Sequence, residues 1–138
     1  MTGEYTHSID AKGRLFIPAK LREELGTVFY VTLSMDECLS AYSAESWEQF
    51  LAKINAMPYS KQRKMRALFA NAARCELDTQ GRILLPQKLR DYAGLTKEVA
   101  IIGAGNHAEI WDAAKWAEVD AMETTPENIA AVMEELEF

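Results

Sequence analysis

The feature that most constrains this chain is an internal duplication, because residues 10–23 return as residues 78–91 with seven of fourteen positions identical. After one inserted residue the two halves stay aligned at an offset of 69. The identical pairs are Asp10/Asp78, Gly13/Gly81, Arg14/Arg82, Pro18/Pro86, Lys20/Lys88, Leu21/Leu89 and Arg22/Arg90. A duplicated segment need not be a complete fold by itself. We therefore expect the two copies to pack on each other about a pseudo-two-fold axis.

Each copy carries the same local pattern of a turn, a short strand and a short helix. In the first copy, aspartate favours the start of a turn at Asp10–Arg14, and Gly13 can adopt a positive φ. Leu15–Ile17 then has the composition of a short buried strand. Pro18 suits the first position of a helix over Ala19–Leu25. The second copy predicts a turn at Asp78–Arg82, a strand at Ile83–Leu85 and a helix at Gln87–Ala93.

The remaining apolar patterns predict the other strands and helices. Strands are expected at Tyr5–Ile9, Val28–Leu33, Leu39–Tyr42, Val99–Ile102 and Glu109–Trp111. Helices are expected at Ala44–Ala56 after the cap Ser43, at Ser60–Asn71, at Ala113–Met122, and after the cap Thr125 to about Glu135. These elements predict an α+β fold of two tandem split β-α-β-β repeats, residues 4–47 and 75–118, forming one intertwined domain. Residues 48–74 would be a helical connector and residues 119–138 a C-terminal helix.

The composition suits one compact domain, since the chain has 138 residues of which 49% are hydrophobic. No apolar run approaches the ~18 residues of a membrane span, and no signal peptide opens the sequence, so we expect a cytoplasmic protein without a membrane partner. Cys38 and Cys75 are too few and too distant for a disulfide framework or a zinc site. His7 and His107 also stand alone. The sequence therefore predicts two reduced, buried thiols, no metal and no cofactor.

The net charge of −6 would disfavour nucleic acid if it were spread evenly, but it is not. Residues 58–96 carry a net charge of +5, whereas residues 97–138 carry −8. The acidic residues are therefore concentrated in the C-terminal region, while the repeat motifs and the segment before the second motif are basic. Such asymmetry indicates a local cationic footprint rather than a uniformly repelling surface.

The two turns are the best candidates for that footprint. Each aspartate can accept hydrogen bonds from turn amides and hold the arginine four residues on in one direction. The predicted DNA contacts are Lys12, Arg14, Gln80 and Arg82, and the predicted turn-bracing residues are Asp10, Gly13, Asp78 and Gly81. Arginine can read a guanine edge or clamp a phosphate, and glutamine can pair with an adenine edge. The alternative is that each aspartate and arginine only brace their own turn.

Other cationic side chains have different expected roles. Lys20, Arg22, Lys88 and Arg90 lie on the short predicted helices, where we expect helix-surface ion pairs or subunit contacts. Lys61, Arg63, Lys64 and Arg66 form a basic helix face that we expect to be solvated or to lie between subunits rather than on DNA. Gly13 is expected to let the backbone of its turn approach another surface closely.

The chain resembles the MraZ family of bacterial transcription regulators along nearly its whole length. The segments that carry the resemblance are Gly3–Arg14, Ile17–Lys20, Cys75–Arg82, Lys97–Val99 and Glu109–Trp111. One departure is Thr2, where family members often have phenylalanine. The resemblance implies an AbrB-like barrel built from two repeats in one chain. It also implies ring-shaped homo-oligomers that bind direct repeats of double-stranded DNA in the promoter of the division and cell-wall gene cluster, and hence a nucleoid-associated protein.

Three other functions compete with this interpretation. An antitoxin-like AbrB regulator would normally carry one motif copy and a flexible toxin-binding tail. A purely structural ring or scaffold would need only the packed aromatic and apolar residues. An enzyme could use Asp10 and Asp78 with His7 as acid–base groups, but the sequence has no nucleophile elbow, phosphate-binding glycine loop or metal-ligand spacing. We therefore expect a protein without enzymatic activity and without catalytic residues.

Overall fold

The computed structural model describes all 138 residues. The strands are β1 Glu4–Ser8, β2 Arg14–Phe16, β3 Val28–Leu33, β4 Leu39–Ser43, β5 Ala73–Glu76, β6 Arg82–Leu84, β7 Glu98–Gly103 and β8 Ala108–Asp112. The helices are α1 Ala19–Leu25, α2 Ala44–Asn55, α3 Tyr59–Gln62, α4 Arg66–Ala70, α5 Gln87–Ala93, α6 Ala113–Glu123 and α7 Pro126–Glu135, with a 3-10 turn at Arg63–Met65. None of these helices combines the length and apolar character needed to cross a membrane.

Six strands form one antiparallel sheet in the order β1-β7-β8-β4-β3-β5. The counterparts in the two copies are β1 and β5, β3 and β7, and β4 and β8. Replacing each strand by its counterpart gives the same order read from the opposite edge of the sheet. The first strand of each copy pairs with the third strand of the other, β1 with β7 and β5 with β3. Neither copy can complete its strand pairing alone. The predicted pseudo-two-fold relation between the two repeats is therefore confirmed.

The two remaining strands, β2 and β6, pair with each other as a separate antiparallel ribbon. β2 follows β1 along the chain and β6 follows β5, and β1 and β5 are the two edges of the six-stranded sheet. The ribbon therefore links the two edges, as an AbrB-like barrel requires. The predicted α+β fold class is confirmed.

Both copies contribute to one hydrophobic core of 19 buried residues. Leu15 and Ile83 of the ribbon are 0% and 1% exposed, and they pack in the same cluster as Phe29 of β3. Leu21 and Leu89 bring one face each of α1 and α5 into that cluster. Each such fully buried side chain stabilises the fold by roughly 1.5–3 kcal/mol. The position of the ribbon is thus fixed by burial on its inner face.

A longer helix follows each copy, as predicted, and both helices begin at a side-chain cap. The Ser43 hydroxyl accepts a hydrogen bond at 3.2 Å from the amide of Ser46 in α2. The Asp112 carboxylate accepts one at 3.1 Å from an amide in the first turn of α6. The predicted cap Thr125 likewise accepts a bond at 3.2 Å at the start of α7. Each cap pairs one of the backbone donors that a helix start leaves free.

The prediction of one continuous helix over Ser60–Asn71 is wrong, because a 3-10 turn separates α3 from α4. The segment carries four cations and no acidic residue. Lys61 with Lys64, and Arg63 with Arg66, are like charges three residues apart on a helix. Each such pair destabilises a helix by about 0.2–0.5 kcal/mol. The amphipathic pattern of the segment favours a helix, and this repulsion opposes it.

Candidate nucleic-acid interface

A single carboxylate holds the turn between β1 and β2. Asp10 Oδ1 accepts hydrogen bonds from the amides of Lys12 at 3.0 Å and Arg14 at 2.9 Å. Asp10 Oδ2 accepts a further bond from Arg14 Nε at 2.6 Å. The Gly13 amide closes the turn on the Asp10 carbonyl oxygen at 3.0 Å, with a φ of 87° at the glycine. A residue with a Cβ atom rarely adopts that conformation.

The turn between β5 and β6 repeats this arrangement bond for bond. Asp78 Oδ1 accepts from the amides of Gln80 and Arg82, both at 2.9 Å, and Oδ2 accepts from Arg82 Nε at 3.0 Å. The Gly81 amide donates to the Asp78 carbonyl oxygen at 3.1 Å, and Gly81 has a φ of 77°. The two turns are therefore the same backbone scaffold built twice.

These hydrogen bonds favour the ionised aspartates. The backbone amide of Arg14 is the largest influence on Asp10, and together with the Arg14 guanidinium it lowers the pKa of that carboxyl below its ordinary value of 3.8. The amide of Arg82 is the largest influence that lowers the pKa of Asp78 in the same way. Both carboxylates are therefore charged at neutral pH and orient their arginines by charge as well as by hydrogen bonding.

Each aspartate occupies only the Nε donor of its arginine. A guanidinium carries five N–H donors, so the two terminal nitrogens of Arg14 and of Arg82 remain free for an external partner. The two side chains are 38% and 28% exposed. Because the aspartate already fixes the side-chain direction, little further side-chain entropy is lost when the terminal nitrogens bind a ligand.

The strand register brings both arginines to one face of the ribbon. Arg14 lies opposite Leu84, and Phe16 lies opposite Arg82. Side chains alternate between the two faces of a strand, so these four residues share the outward face while Leu15 and Ile83 share the buried one. We call these four outward side chains the ribbon face. The sequence suggested two separate turn tips, whereas the structure combines them in one surface.

An arginine from the opposite copy completes each turn, and sequence reasoning missed this contact. A Cβ atom at Gly13 would lie 2.7 Å from Arg90 Nε, and one at Gly81 would lie 2.5 Å from Arg22 Nη1. The expectation of helix-surface ion pairs or subunit contacts for Arg22 and Arg90 is therefore corrected: each packs against the turn of the other copy. The only signal in the sequence was that both copies have arginine at this position. That each arginine contacts the turn of the other copy follows from the fold.

The close backbone approach expected at Gly13 is thus to the chain itself. Gly13 and Gly81 are buried, and their carbonyl oxygens accept hydrogen bonds at 2.9 Å from the amides of Leu85 and Ile17 respectively. Each of these bonds crosses from one copy to the other. The glycines therefore lock the two turns to the ribbon rather than presenting bare backbone to solvent.

The two ends of the ribbon differ in side-chain chemistry. The exposed tip residue is Lys12 in the first turn and the uncharged Gln80 in the second. Phe16 packs edge-on against His7 at 4.9 Å and lies under the Arg22 guanidinium at 5.1 Å, whereas its counterpart Leu84 is 61% exposed. The cations in and beside the two turns are Lys12, Arg14, Arg22, Arg82 and Arg90. With two aspartates among them, the cluster has a net charge of +3 on a chain whose total is −6.

Comparison with known proteins identifies the family. A family model described as "MraZ protein, putative antitoxin-like" matches residues 1–69 and again residues 68–133, so each match contains one turn and one strand of the ribbon. The chain belongs to the MraZ family. Transcriptional regulator MraZ of Acetivibrio thermocellus is 48% identical over 135 residues, covering 95% of this chain and 94% of that relative.

Two further MraZ relatives show similar agreement. Transcriptional regulator MraZ of Carboxydothermus hydrogenoformans is 50% identical over 117 residues, covering 83% of this chain and 82% of the relative. Transcriptional regulator MraZ of Halothermothrix orenii is 44% identical over 138 residues, covering 97% and 96%. All three relatives are named as transcriptional regulators, and each of the two family matches contains one of the duplicated turns.

Proposed function

We propose that this chain regulates transcription by binding direct repeats of promoter DNA with its ribbon face, as a ring-shaped homo-oligomer. The observation that supports this most strongly is the pair of arginines on one outward face, each oriented by an aspartate and each with its terminal nitrogens free. The family resemblance extends the proposal to the promoter of the division and cell-wall gene cluster. On this proposal the protein acts in the cytoplasm, associated with the nucleoid.

The proposed binding site on DNA is the major groove, because a two-stranded ribbon can enter it. A two-stranded ribbon fits the groove of B-DNA, which is about 12 Å wide, and there an arginine fork can bind the O6 and N7 atoms of guanine. Arg14 and Arg82 are the proposed base-reading residues. Lys12 would bind a phosphate and Gln80 an adenine edge or a phosphate. Asp10 and Asp78 act indirectly, by holding the two arginines in place.

The difference between the two turn tips supports binding to direct repeats. A ribbon with identical ends would suit a palindromic site, because its pseudo-two-fold axis would match a two-fold axis of the DNA. Lys12 at one end and Gln80 at the other make the contacts directional. Successive sites that all point the same way then require subunits that all point the same way, as neighbours in a ring do.

A ring also compensates for the small footprint of one chain. Once one subunit binds, binding by its neighbours becomes intramolecular, which can raise avidity by about 10²–10⁴ without new contacts. Repeats spaced at about one helical turn (~10 bp) would present successive sites on one side of the duplex. A change of half a turn in that spacing should abolish tight binding. Unchanged affinity would contradict the ring proposal.

The proposed units of the chain are the two repeats, residues 4–47 and 75–118, within one domain. The connector 48–74 and the C-terminal region 119–138 lie outside the ribbon face, and we propose that they serve assembly rather than DNA binding.

A gel-shift titration tests the ribbon face. The duplex would carry three or four direct repeats from the upstream region of the gene, and wild type would be compared with Arg14→Ala and Arg82→Ala at two salt concentrations. Arg74→Ala is the matched control, because Arg74 is an exposed arginine paired with Glu76 outside the ribbon. We expect salt-sensitive wild-type binding, a loss of about 1–3 kcal/mol in each ribbon variant and no loss in the control. Equal binding by all four proteins of unchanged oligomer size would exclude the ribbon face as the reader.

A further inference from the structure

Two surfaces of opposite charge lie outside the ribbon face, and neither is paired within the chain. Residues 118–138 carry seven acidic side chains and no basic one, whereas residues 57–71 carry four basic side chains and no acidic one. The acidic residues are Glu118, Asp120, Glu123, Glu127, Glu134, Glu135 and Glu137, and the basic residues are Lys61, Arg63, Lys64 and Arg66. None of these eleven side chains takes part in an ion pair of the chain.

The acidic region contains a helix whose apolar side is uncovered. Ile129, Val132 and Met133 of α7 and Leu136 at its C-terminal cap recur at the spacing that places residues on one face of a helix. They are 49%, 51%, 46% and 61% exposed, and no residue of α7 is buried. We call these four residues the α7 stripe. A stripe of this width normally packs against a core, so an exposed one indicates a docking surface.

The basic region contains a groove with apolar walls. The end of α2 and the α3–α4 segment border an open groove of about 530 Å³, whose apolar lining residues are Ile54, Tyr59, Phe69 and Ala70. Arg63 and Arg66 also line it. Tyr59 is 70% exposed although its ring borders the groove. We call this the basic groove, and it offers apolar contact for a helix together with positive charge.

The two surfaces are separate on one chain. The basic groove is lined by residues 54–70 alone, so α7 of the same chain does not occupy it. α6, which leads into α7, packs against β7 and β8, whereas α4 packs against β3. A contact between different surfaces of two identical chains is heterologous, and its repetition gives a closed ring or an open filament.

We propose that the α7 stripe of one copy docks in the basic groove of the next copy. This assignment rests on the ring assembly proposed above and names the surfaces that build it. The charges favour this occupant over the alternatives, because an α7–α7 contact would bring together two helices that each carry three carboxylates and no cation, and DNA would repel α7. The charges therefore select the partner and direction, while the apolar contact holds it.

The oligomer size of the full chain tests this proposal. The groove variant is Arg63→Glu/Arg66→Glu and the stripe variant is Val132→Ser/Met133→Ser, with Met35→Ser as control because Met35 is 95% exposed outside both surfaces. Size would be measured by light scattering over a range of concentrations, with circular dichroism to confirm folding. We expect both surface variants to need at least about tenfold more protein to assemble, and the control to match wild type.

Two further arms give results that general destabilisation would not produce. Adding Glu134→Lys/Glu135→Lys to the groove variant restores opposite charges on the two surfaces and should recover assembly. Mixing the groove variant with the stripe variant should give discrete dimers, because each chain keeps one working surface and only one contact can form.

The outcomes separate this assignment from the ring itself. A wild-type chain that remains monomeric at all concentrations would overturn both the ring and the docking contact. A wild-type oligomer that persists unchanged in both surface variants would leave the ring standing and overturn the docking contact. Loss of assembly without recovery by charge exchange and without dimers on mixing would show that the stripe and the groove do not bind each other.

Discussion

The turn at residues 10–14 and the turn at residues 78–82 share the same set of aspartate and glycine hydrogen bonds but differ at their tips and in their surroundings. The first presents Lys12 and lies beside the exposed Leu84, which is opposite Arg14, whereas the second presents Gln80 and lies beside the half-buried Phe16, which is opposite Arg82. The shared part is what holds an arginine in position. Under the proposed function, the part that differs gives the interface a direction, so that one scaffold used twice would read an asymmetric site.

The largest expected effects concern the part that is the same in both copies. Leu15→Ala and Ile83→Ala each remove a fully buried side chain from the inner face of the ribbon, and we expect a loss of about 2–5 kcal/mol in the free energy of unfolding for each. Denaturant unfolding measures it. Leu84→Ala on the exposed face is the control and should change stability by less than about 0.5 kcal/mol. A loss at only one of the two buried positions would contradict the equivalence of the copies.

The two glycines should then respond unequally. An added Cβ at Gly13 would meet the Leu85 carbonyl oxygen at 2.8 Å, which is backbone, whereas at Gly81 the nearest atoms are side-chain atoms of Arg22 and Phe16 that can move. In both variants the alanine must also adopt the positive φ of the glycine it replaces, which costs roughly 1–2 kcal/mol. We expect Gly13→Ala to be more destabilising than Gly81→Ala by thermal unfolding.

Gly94→Ala is the control for the glycine comparison. Gly94 has a φ of 64° with no neighbouring atom within 4 Å, so this variant measures backbone strain alone. A Gly13→Ala variant no less stable than Gly94→Ala would show that the contact between the copies at Gly13 contributes nothing.

The two aspartates should give the protein a shared sensitivity to acid. Both have a pKa below 3.8 in the folded chain, chiefly because of the amides of Arg14 and Arg82. A lowered folded-state pKa means that the stabilisation is fully present above the unfolded value, near 3.9, and is lost as the pH falls through the folded value. Carboxyl ¹³C shifts should titrate below 3.8 for both residues. In Asp10→Asn/Asp78→Asn the free energy of unfolding should fall less steeply over that acid range, and an unchanged slope would contradict this.

The smallest expected effect concerns the two tips. Lys12→Gln should reduce the slope of log affinity against log salt by about 1, because one phosphate contact is lost, and Gln80→Lys should raise it by about 1. Filter-binding titrations at several salt concentrations measure both slopes. Unchanged slopes in both variants would show that neither tip lies at the DNA backbone.

Local patterns predicted much of this molecule. The duplicated Asp-x-x-Gly-Arg motif located both turns, and Pro18, Ser43 and Thr125 marked helix starts that the structure confirms. Family resemblance predicted the two-repeat fold, which the strand order confirms. These features depend on residues close together in the sequence or on similarity across the whole chain.

Contacts between the copies were not predictable in the same way. The packing of Arg22 against Gly81 and of Arg90 against Gly13 joins residues about 59 and 77 positions apart, and it exists only because the two copies exchange strands. The ribbon face has the same origin, since it arises from the pairing of β2 with β6. The break between α3 and α4 has another origin, since hydrophobic periodicity does not register the repulsion between like charges along a helix.

Proximity cleavage of DNA tests the central claim most directly. Ala11 and Thr79 are exposed counterparts at the two turn tips, so an iron chelate attached to Ala11→Cys or Thr79→Cys would cut nearby DNA. Burial raises the pKa of the native thiols Cys38 and Cys75 to about 12 and about 11, so they should react little with the label. We expect both turn-tip variants to cut within every repeat, with the cuts from labelled Thr79→Cys displaced from those of labelled Ala11→Cys in the same direction in each repeat. Labelled Met35→Cys should cut nowhere. Cutting from a labelled Lys64→Cys with none from either turn tip would place the DNA on the connector and contradict the ribbon face as the reader.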